Sequence, residues 1–283
     1  MKTIIIILFF LCSSFTFAQE DLINELDQEA VVDSIVISAF FGLKIVNLES
    51  TKTASKGDFY FNISHRFGSV KGGIDELFGL DQSNIRFSFF FGINDWLTLG
   101  ASRSSYNKTY DITAKYRFIN QVENGFPLTI TGFSEIAANT NIDENDYPGF
   151  TFKNRLSYLT EILISRKFSE KISLQIAPIF IHENFVIDDN QDNSQFALGA
   201  GGRYKLNGTL SLNVDYVYHL NRASDSSFIN PLSFGLDVET GGHVFQIIVS
   251  NSNQLNDINF ITNAVGDWTT GDVYIGFNLY RVF

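Results

Sequence analysis

Val273-Tyr274-Ile275-Gly276-Phe277-Asn278-Leu279-Tyr280-Arg281-Val282-Phe283 is the run from which the architecture of this chain follows. Positions 273, 275, 277 and 279 are apolar, while Tyr274, Gly276, Asn278 and Tyr280 alternate with them. That period of two is the signature of a strand whose two faces meet different surroundings. The alternation recurs upstream. Phe59, Phe61, Ile63 and Phe67 interleave with Tyr60, Asn62, Ser64 and Arg66; Ile85, Phe87, Phe89 and Phe91 interleave with Arg86, Ser88 and Phe90. Leu210, Leu212, Val214 and Tyr216 do so with Ser211, Asn213 and Asp215, and Leu232, Phe234, Leu236 and Val238 with Ser233, Asp237 and Glu239.

Such a pattern suits a soluble sandwich, greasy face inward, or a membrane barrel, greasy face outward to lipid. Most runs are 9 to 13 residues long, against the roughly 9–11 of a tilted membrane-crossing strand. Tyr60, Phe67, Tyr110, Tyr116, Phe118, Tyr204, Tyr216 and Tyr218 gather near strand ends, as interfacial aromatics do. The closing strand, finishing on Phe283, resembles the last strand of outer-membrane β-barrels, where it serves as the assembly signal. The fold expected is all-β: an antiparallel transmembrane β-barrel of about 12 strands (12–14).

The strands read as 57–67, 84–93, 96–104, 108–118, 127–137, 153–167, 171–183, 194–205, 209–220, 231–239, 243–250 and 271–283. Counting back from Phe283, connections 251–270, 221–230, 184–193 and 138–152 are long, and 240–242, 206–208, 168–170 and 94–95 are short. Long outer loops and short periplasmic turns put both termini on the periplasmic side. Segment 34–48, within a stretch 34–56, breaks the parity and is expected as a plug, a periplasmic extension or an extra strand. A short loop helix is expected near 73–80, packed by Ile74, Leu77 and Phe78.

Lys2, the apolar run Ile4 to Leu11 and Thr16-Phe17-Ala18 read as a signal peptide over 1–18, followed by an acidic periplasmic lead-in over 19–33. Export to the cell outer membrane follows, with lipid and the barrel-assembly machinery as partners. The lone cysteine, Cys12, lies in that leader, so the expected mature chain has no disulfide. The chain carries 31 acidic and 20 basic residues, net −11, which argues against a nucleic-acid partner. Its 29 Phe and 11 Tyr against four Pro suit pleated sheet.

The segments Ser64-His65-Arg66-Phe67-Gly68, Phe78-Gly79-Leu80-Asp81-Gln82, Arg103-Ser104-Ser105-Tyr106, Arg166-Lys167-Phe168, Gly199 to Leu206, Glu239 to Gln246 and Gly266-Asp267-Trp268 together resemble a family of Bacteroidota outer-membrane β-barrels classed as a domain of unknown function. The resemblance covers roughly residues 35–283 and implies an outer-membrane barrel. It implies no catalytic residue.

No enzyme is expected. His65, His182, His219 and His243 scatter along the strands without metal-ligand spacing, and Ser64-His65 point to opposite faces and cannot form a nucleophile–base pair. No metal and no cofactor is expected. Gly199 and Gly201 sit on the inward phase, where they leave room for a bulkier neighbour or an inward loop. The acidic loops Asn139 to Pro148 and Asp188 to Asp192 suit a solvated fringe or divalent-cation bridging. The functional candidates are inward charges: Arg66, Arg86, Lys115, Arg117 and Arg203, expected to face Glu135, Glu161, Asp215, Asp237 and Glu239. Inward Phe90, Phe133 and Tyr274 favour a filled lumen. The leading expectation is passage or binding of a small solute or ion in a charged lumen; the alternative is a structural or accessory barrel that docks partners and has no open pore.

Overall fold

The computed structural model describes residues 36, 38–186 and 190–283. Twelve antiparallel strands close on themselves. They are β1 (Phe59–Ser69), β2 (Ser83–Asn94), β3 (Leu97–Ser104), β4 (Thr109–Ile119), β5 (Thr129–Asn139), β6 (Leu156–Lys167), β7 (Ile172–Glu183), β8 (Ser194–Lys205), β9 (Leu210–His219), β10 (Leu232–Thr240), β11 (His243–Ser250) and β12 (Tyr274–Val282). Each strand pairs with its neighbours in sequence, and β12 returns to β1 with Tyr60 opposite Val282 and Arg66 opposite Gly276. The leader at 1–18 and the lead-in at 19–33 lie outside the described residues.

Alternation sets the two faces. Phe87, Phe89, Phe91, Ile112, Ile136, Leu174, Ile176, Phe196, Leu198 and Leu212 are exposed on the outside, while Arg86, Ser88, Asp111, Lys115, Asn213 and Asp215 between them are buried inside. No helix among the described residues is long and apolar enough to cross a membrane; the strands supply the greasy belt. Aromatic rings reinforce it, with Phe61 stacked on Phe87 at 6.2 Å and His65 on Phe277 at 5.2 Å. Tyr60 departs from the expected girdle: it is buried and faces inward, because its phase on β1 is that of Asn62 and Ser64.

Phe59 and Phe283 share one end of the barrel, here the terminal rim; the long connections crowd the other, the loop rim. A two-residue turn of the terminal rim joins β10 to β11 through Gly241 and Gly242, both at positive φ, as a tight hairpin requires. Pro127 keeps β5 from starting before Thr129. The expected sixth strand is shortened because Phe152–Arg155 coil into a short 3-10 turn, with the Thr151 and Asn154 side chains capping it.

A short helix does stand near 73–80, as 3-10 turns over Val70–Gly79 interrupted at Gly73, Glu76, Leu77 and Phe78; the packing expected of Ile74, Leu77 and Phe78 is corrected, since all three are exposed. A helical stripe needs regular backbone, and left-handed Leu77 and Phe78 dissolve it.

Residues 38–56 form no strand. The segment bends inside the barrel through a turn closed by Ile45 N–H to the Leu48 carbonyl at 2.8 Å and Ser50 N–H to the Leu43 carbonyl at 2.9 Å. From the loop rim, the β11–β12 connection also folds inward, carrying the short helix α1 (Asp257–Thr262). Phe40, Ile45, Val46 and Leu48 of the first insert, and Ile258, Phe260 and Ile261 of the second, form one buried cluster with the barrel wall. The wall residues are Phe133, Leu159, Leu163, Ile179, Ile181, Val217 and Ile248. The inward Phe133 expected on β5 is joined on β5 to β8 by further apolar inward residues, because the inserts give that wall an apolar partner.

Glycines thin the wall where the first insert leans on it. A Cβ at Gly199 would stand 2.9 Å from Leu48, and one at Gly201 would stand 2.5 Å from Ile45. Replacing Gly201 by Val is expected to cost about 1–3 kcal/mol through overpacking. The expected readout is a lower temperature at which the unboiled protein loses its folded gel mobility; an unchanged temperature would show that Ile45 does not pack there.

Candidate functional site

Eight of the ten candidate charges are buried in the interior, while Arg117 and Glu239 are half-buried; no two of the ten form an ion pair with one another. The inserts lie between them and supply partners to Arg66, Arg86, Lys115, Arg203 and Asp215 instead. This corrects the expected face-to-face arrangement.

Asp215 shows how. On β9, fully buried, its Oδ2 accepts three consecutive backbone N–H groups, from Val46 at 3.1 Å, Asn47 at 2.7 Å and Leu48 at 2.8 Å. Three convergent donors form an anion nest, so Asp215 is the seat of the insert tip. Arg66 reaches the same turn, with Nη2 on Asn47 Oδ1 at 2.7 Å and Nη1 on Asn278 Oδ1 at 3.2 Å. Asn47 Nδ2 donates to Ser233 at 2.8 Å. Gln246 Nε2 bonds both the Ile45 carbonyl at 2.7 Å and Asp237 at 2.6 Å.

A chain of charge crosses mid-lumen. Lys115 meets Glu49 at 2.6 Å; Glu49 meets Lys44 at 2.8 Å; Lys44 contacts Asp257 of α1. Asp257 also meets Arg86 at 3.4 Å, and Arg86 holds Asp111 at 2.7 Å and the Leu255 carbonyl at 2.5 Å. The two inserts thus touch through Lys44 and Asp257. Burial by itself would lower the Lys44 ammonium and raise the Asp257 carboxyl. Asp257 and Glu49 overturn the first effect, Lys44 and Arg86 the second, so Lys44 ends above its ordinary range and Asp257 below.

Glu135 and Glu161 are buried in the same region, and neither oxygen of either has a hydrogen-bond donor. The Glu135 carboxyl lies within bonding reach of Asp257, an acceptor facing an acceptor unless a proton lies between them. Five carboxylates (Glu49, Asp111, Glu135, Glu161 and Asp257) surround three cations (Lys44, Arg86 and Lys115) in this cluster.

The remaining candidates sit toward the terminal rim. The Arg203 guanidinium lies 4.4 Å from the Phe41 ring centroid, a cation–π grip on the insert. Arg117 bonds Asn120 at 3.0 Å and also donates to Thr53 and the Asp95 carbonyl. Glu239 is half-buried at the end of β10. Sequence reasoning missed Lys44, Glu49, Asp111 and Asp257. Asp111 shares the inward phase of Lys115 on β4 and was legible. The other three stand in segments whose inward path has no periodic signature. His219 is buried with Nε2 against Gln195 Oε1 at 2.7 Å. Of the acidic loops, residues 188 and 189 lie outside the described residues.

Breaking one partner of a buried ion pair typically costs about 3–5 kcal/mol, whereas replacing both with apolar groups costs far less. Lys44→Met is therefore expected to destabilise the fold strongly, and Lys44→Met with Asp257→Leu to recover part of the loss. Thermal unfolding of the singles and the double measures this; simple additivity would mean that the contact carries no coupling. The sign with pH follows from the two shifts. The Asp257 contribution is present above about pH 4 and lost as pH falls through its lowered value; the Lys44 contribution is present below about pH 10 and lost as pH rises through its raised value.

A family model described as a membrane bound beta barrel domain (DUF5777) matches residues 40–283. No curated protein matches the sequence. Similar solved structures include the KdgM porin, at TM-score 0.49 and 7% identity over 80% of this chain and 99% of that one. An outer membrane channel from Pseudomonas putida F1 aligns at TM-score 0.48 and 12% identity, over 82% of this chain and 97% of its own. Omp33 of Acinetobacter baumannii aligns at TM-score 0.46 and 8% identity, over 82% of this chain and 100% of its own. Nothing about cargo is taken from likenesses of this degree.

Proposed function

The chain belongs to the family of membrane-bound β-barrel domains, and from that premise we propose that it works in the outer membrane as a barrel without a standing pore. It presents its two rims to partners and does not conduct at rest. One observation carries this reading: the segment 38–56 that precedes β1 and the β11–β12 connection meet in the lumen at Lys44 and Asp257. Behind that contact lies a shared apolar core from Phe40 to Ile261, which a permanently open channel would not build. Export by the 1–18 leader, periplasmic termini, and delivery through the barrel-assembly machinery by the strand ending in Phe283 belong to the same proposal. They are supported by the charge and hydropathy of residues 1–18 and by the short turns of the terminal rim. No catalytic role is proposed.

Planar-bilayer recording of the purified protein tests it. The intact chain is expected to be silent, and steady unitary currents from it would overturn the closed-barrel reading.

A second reading, passage of a small solute or ion after an insert moves, is favoured by one observation. Glu135 and Glu161 stay buried without donors, an arrangement costly in a permanently dry core and suited to a lumen that admits water. Because the only cysteine of the sequence is Cys12, Lys44→Cys with Asp257→Cys introduces an isolated thiol pair that a reducible bis-maleimide can span. On this reading, crosslinking abolishes solute efflux from proteoliposomes and reductive cleavage of the linker restores it; efflux indifferent to a crosslink verified by mass spectrometry removes the gate.

A further inference from the structure

Above α1, at the loop rim, the connections fold around a small cavity of about 110 Å3 below an open mouth, so that a single ring would sit partly in the mouth. It lies outside the mid-lumen charge chain and shares with it only α1, whose Asp257 belongs to the chain. Its chemistry is selective. Arg222 projects into it, yet the guanidinium is spent on the carbonyls of Thr262 at 2.9 Å and Ile261 at 3.1 Å. That pairing fixes the C-terminal end of α1 as the floor; the carbonyls are neutral, so the guanidinium keeps its charge, and its buried Nε has no partner among the described residues. Glu183, at the end of β7, accepts Gln195 Nε2 at 2.7 Å, and Gln195 is in turn held by buried His219 at 2.7 Å. This relay orients one carboxylate toward the cavity with lone pairs to spare.

The other polar walls are amides. Asn259 and Asn263 stand one turn apart on the floor, where Asn263 Nδ2 donates to Asn259 Oδ1 at 3.3 Å. Asn259 Nδ2 and Asn263 Oδ1 remain unspent among the described residues. Opposite them, Asn139 Oδ1 accepts the Asn141 N–H at 3.0 Å, leaving its Nδ2 free. Unspent donors and acceptors therefore both line the cavity. Two apolar faces complete it, Phe228 and Phe185, the latter braced edge-on by Tyr147 at 4.7 Å and Phe150 at 5.1 Å.

Hydroxyl groups are the ligand groups that both donate and accept, and a sugar ring adds C–H faces for aromatic side chains. The one guanidinium and the one carboxylate of the lining, Arg222 and Glu183, offset each other, so the cavity offers an ion no net attraction. We propose that this cavity binds a neutral polyhydroxylated ring, a saccharide residue or similar polyol, through Asn139, Asn259, Asn263 and Glu183.

Saturation-transfer NMR on the full chain in detergent micelles tests it, with methyl α-D-glucopyranoside and N-acetylglucosamine as neutral probes and sodium glucuronate as the charged comparator. Probes at about 10 mM would load a site of roughly millimolar affinity. Transfer to at least one neutral probe is expected, weakened about tenfold in affinity by Asn139→Leu or Asn259→Leu, each removing a donor. Asp143→Asn, on a loop outside the cavity, is expected to change nothing, and heat-modifiable gel mobility verifies that each variant is folded. Absence of transfer to both neutral probes, transfer indifferent to both leucine substitutions in folded protein, or stronger transfer to glucuronate would each overturn the proposal.

Discussion

Pairing of β12 with β1 is the constraint on which the rest depends. A sheet in hydrocarbon has no water to satisfy an edge, so every backbone group must find a partner within the sheet. Arg66 opposite Gly276 and Tyr60 opposite Val282 supply the last seam. Closing twelve strands, however, encloses more space than inward side chains alone fill, unlike the eight-stranded case. The chain fills the excess with its own backbone: residues 38–56 from one side and the β11–β12 connection from the other. The greasy inner wall of β5 to β8, the thinning at Gly199 and Gly201, and the inward amides that receive insert carbonyls all follow from that choice.

The inserts also explain why the lumen tolerates so much charge. Buried ions are stable only when their partners and hydrogen bonds are supplied by the same rigid surroundings. Here each wall charge on β2 and β4 finds its partner on an insert or on its own wall: Arg86 with Asp257 and Asp111, Lys115 with Glu49. Moving one insert strands charges on the other as well as on the wall. The two inserts are therefore one electrostatic unit, although more than two hundred residues separate Lys44 from Asp257 along the chain.

The fold was legible because period-two alternation is a local signal, repeated twelve times and anchored by Phe283. Strand positions fell within a few residues of those observed, and the departures have local causes such as Pro127 and the capped turn at Thr151. The inward phase of Arg66, Arg86, Lys115 and Asp215 was legible for the same reason. Their partners were not. Segment 38–56 shows some alternation, through Ala39 and Phe41, but hydropathy has no term for a turn lying inside a barrel. Asp257 likewise resembled a residue of an external loop, since apolar Ile258, Phe260 and Ile261 beside it span too short a helix to register. Three apolar residues at helical spacing near Ile74 misled in the opposite sense, because spacing presumes the regular backbone that Gly73 and Leu77 deny.

The nest on Asp215 has a consequence for the order in which the molecule is made. Val46, Asn47 and Leu48 are among the first described residues of the chain, yet the carboxylate they seat on lies 167 to 169 residues later. Their turn is further held by Ser233, Gln246 and Asn278 on three still later strands. Contacts of such separation form slowly, since the intervening chain must be organised before they are rewarded. The segment made first is thus the one settled last, around which the final four strands complete their wall. A chain shortened at its far end loses the sockets as well as the seam, leaving the early segment with greasy side chains and nowhere to put them.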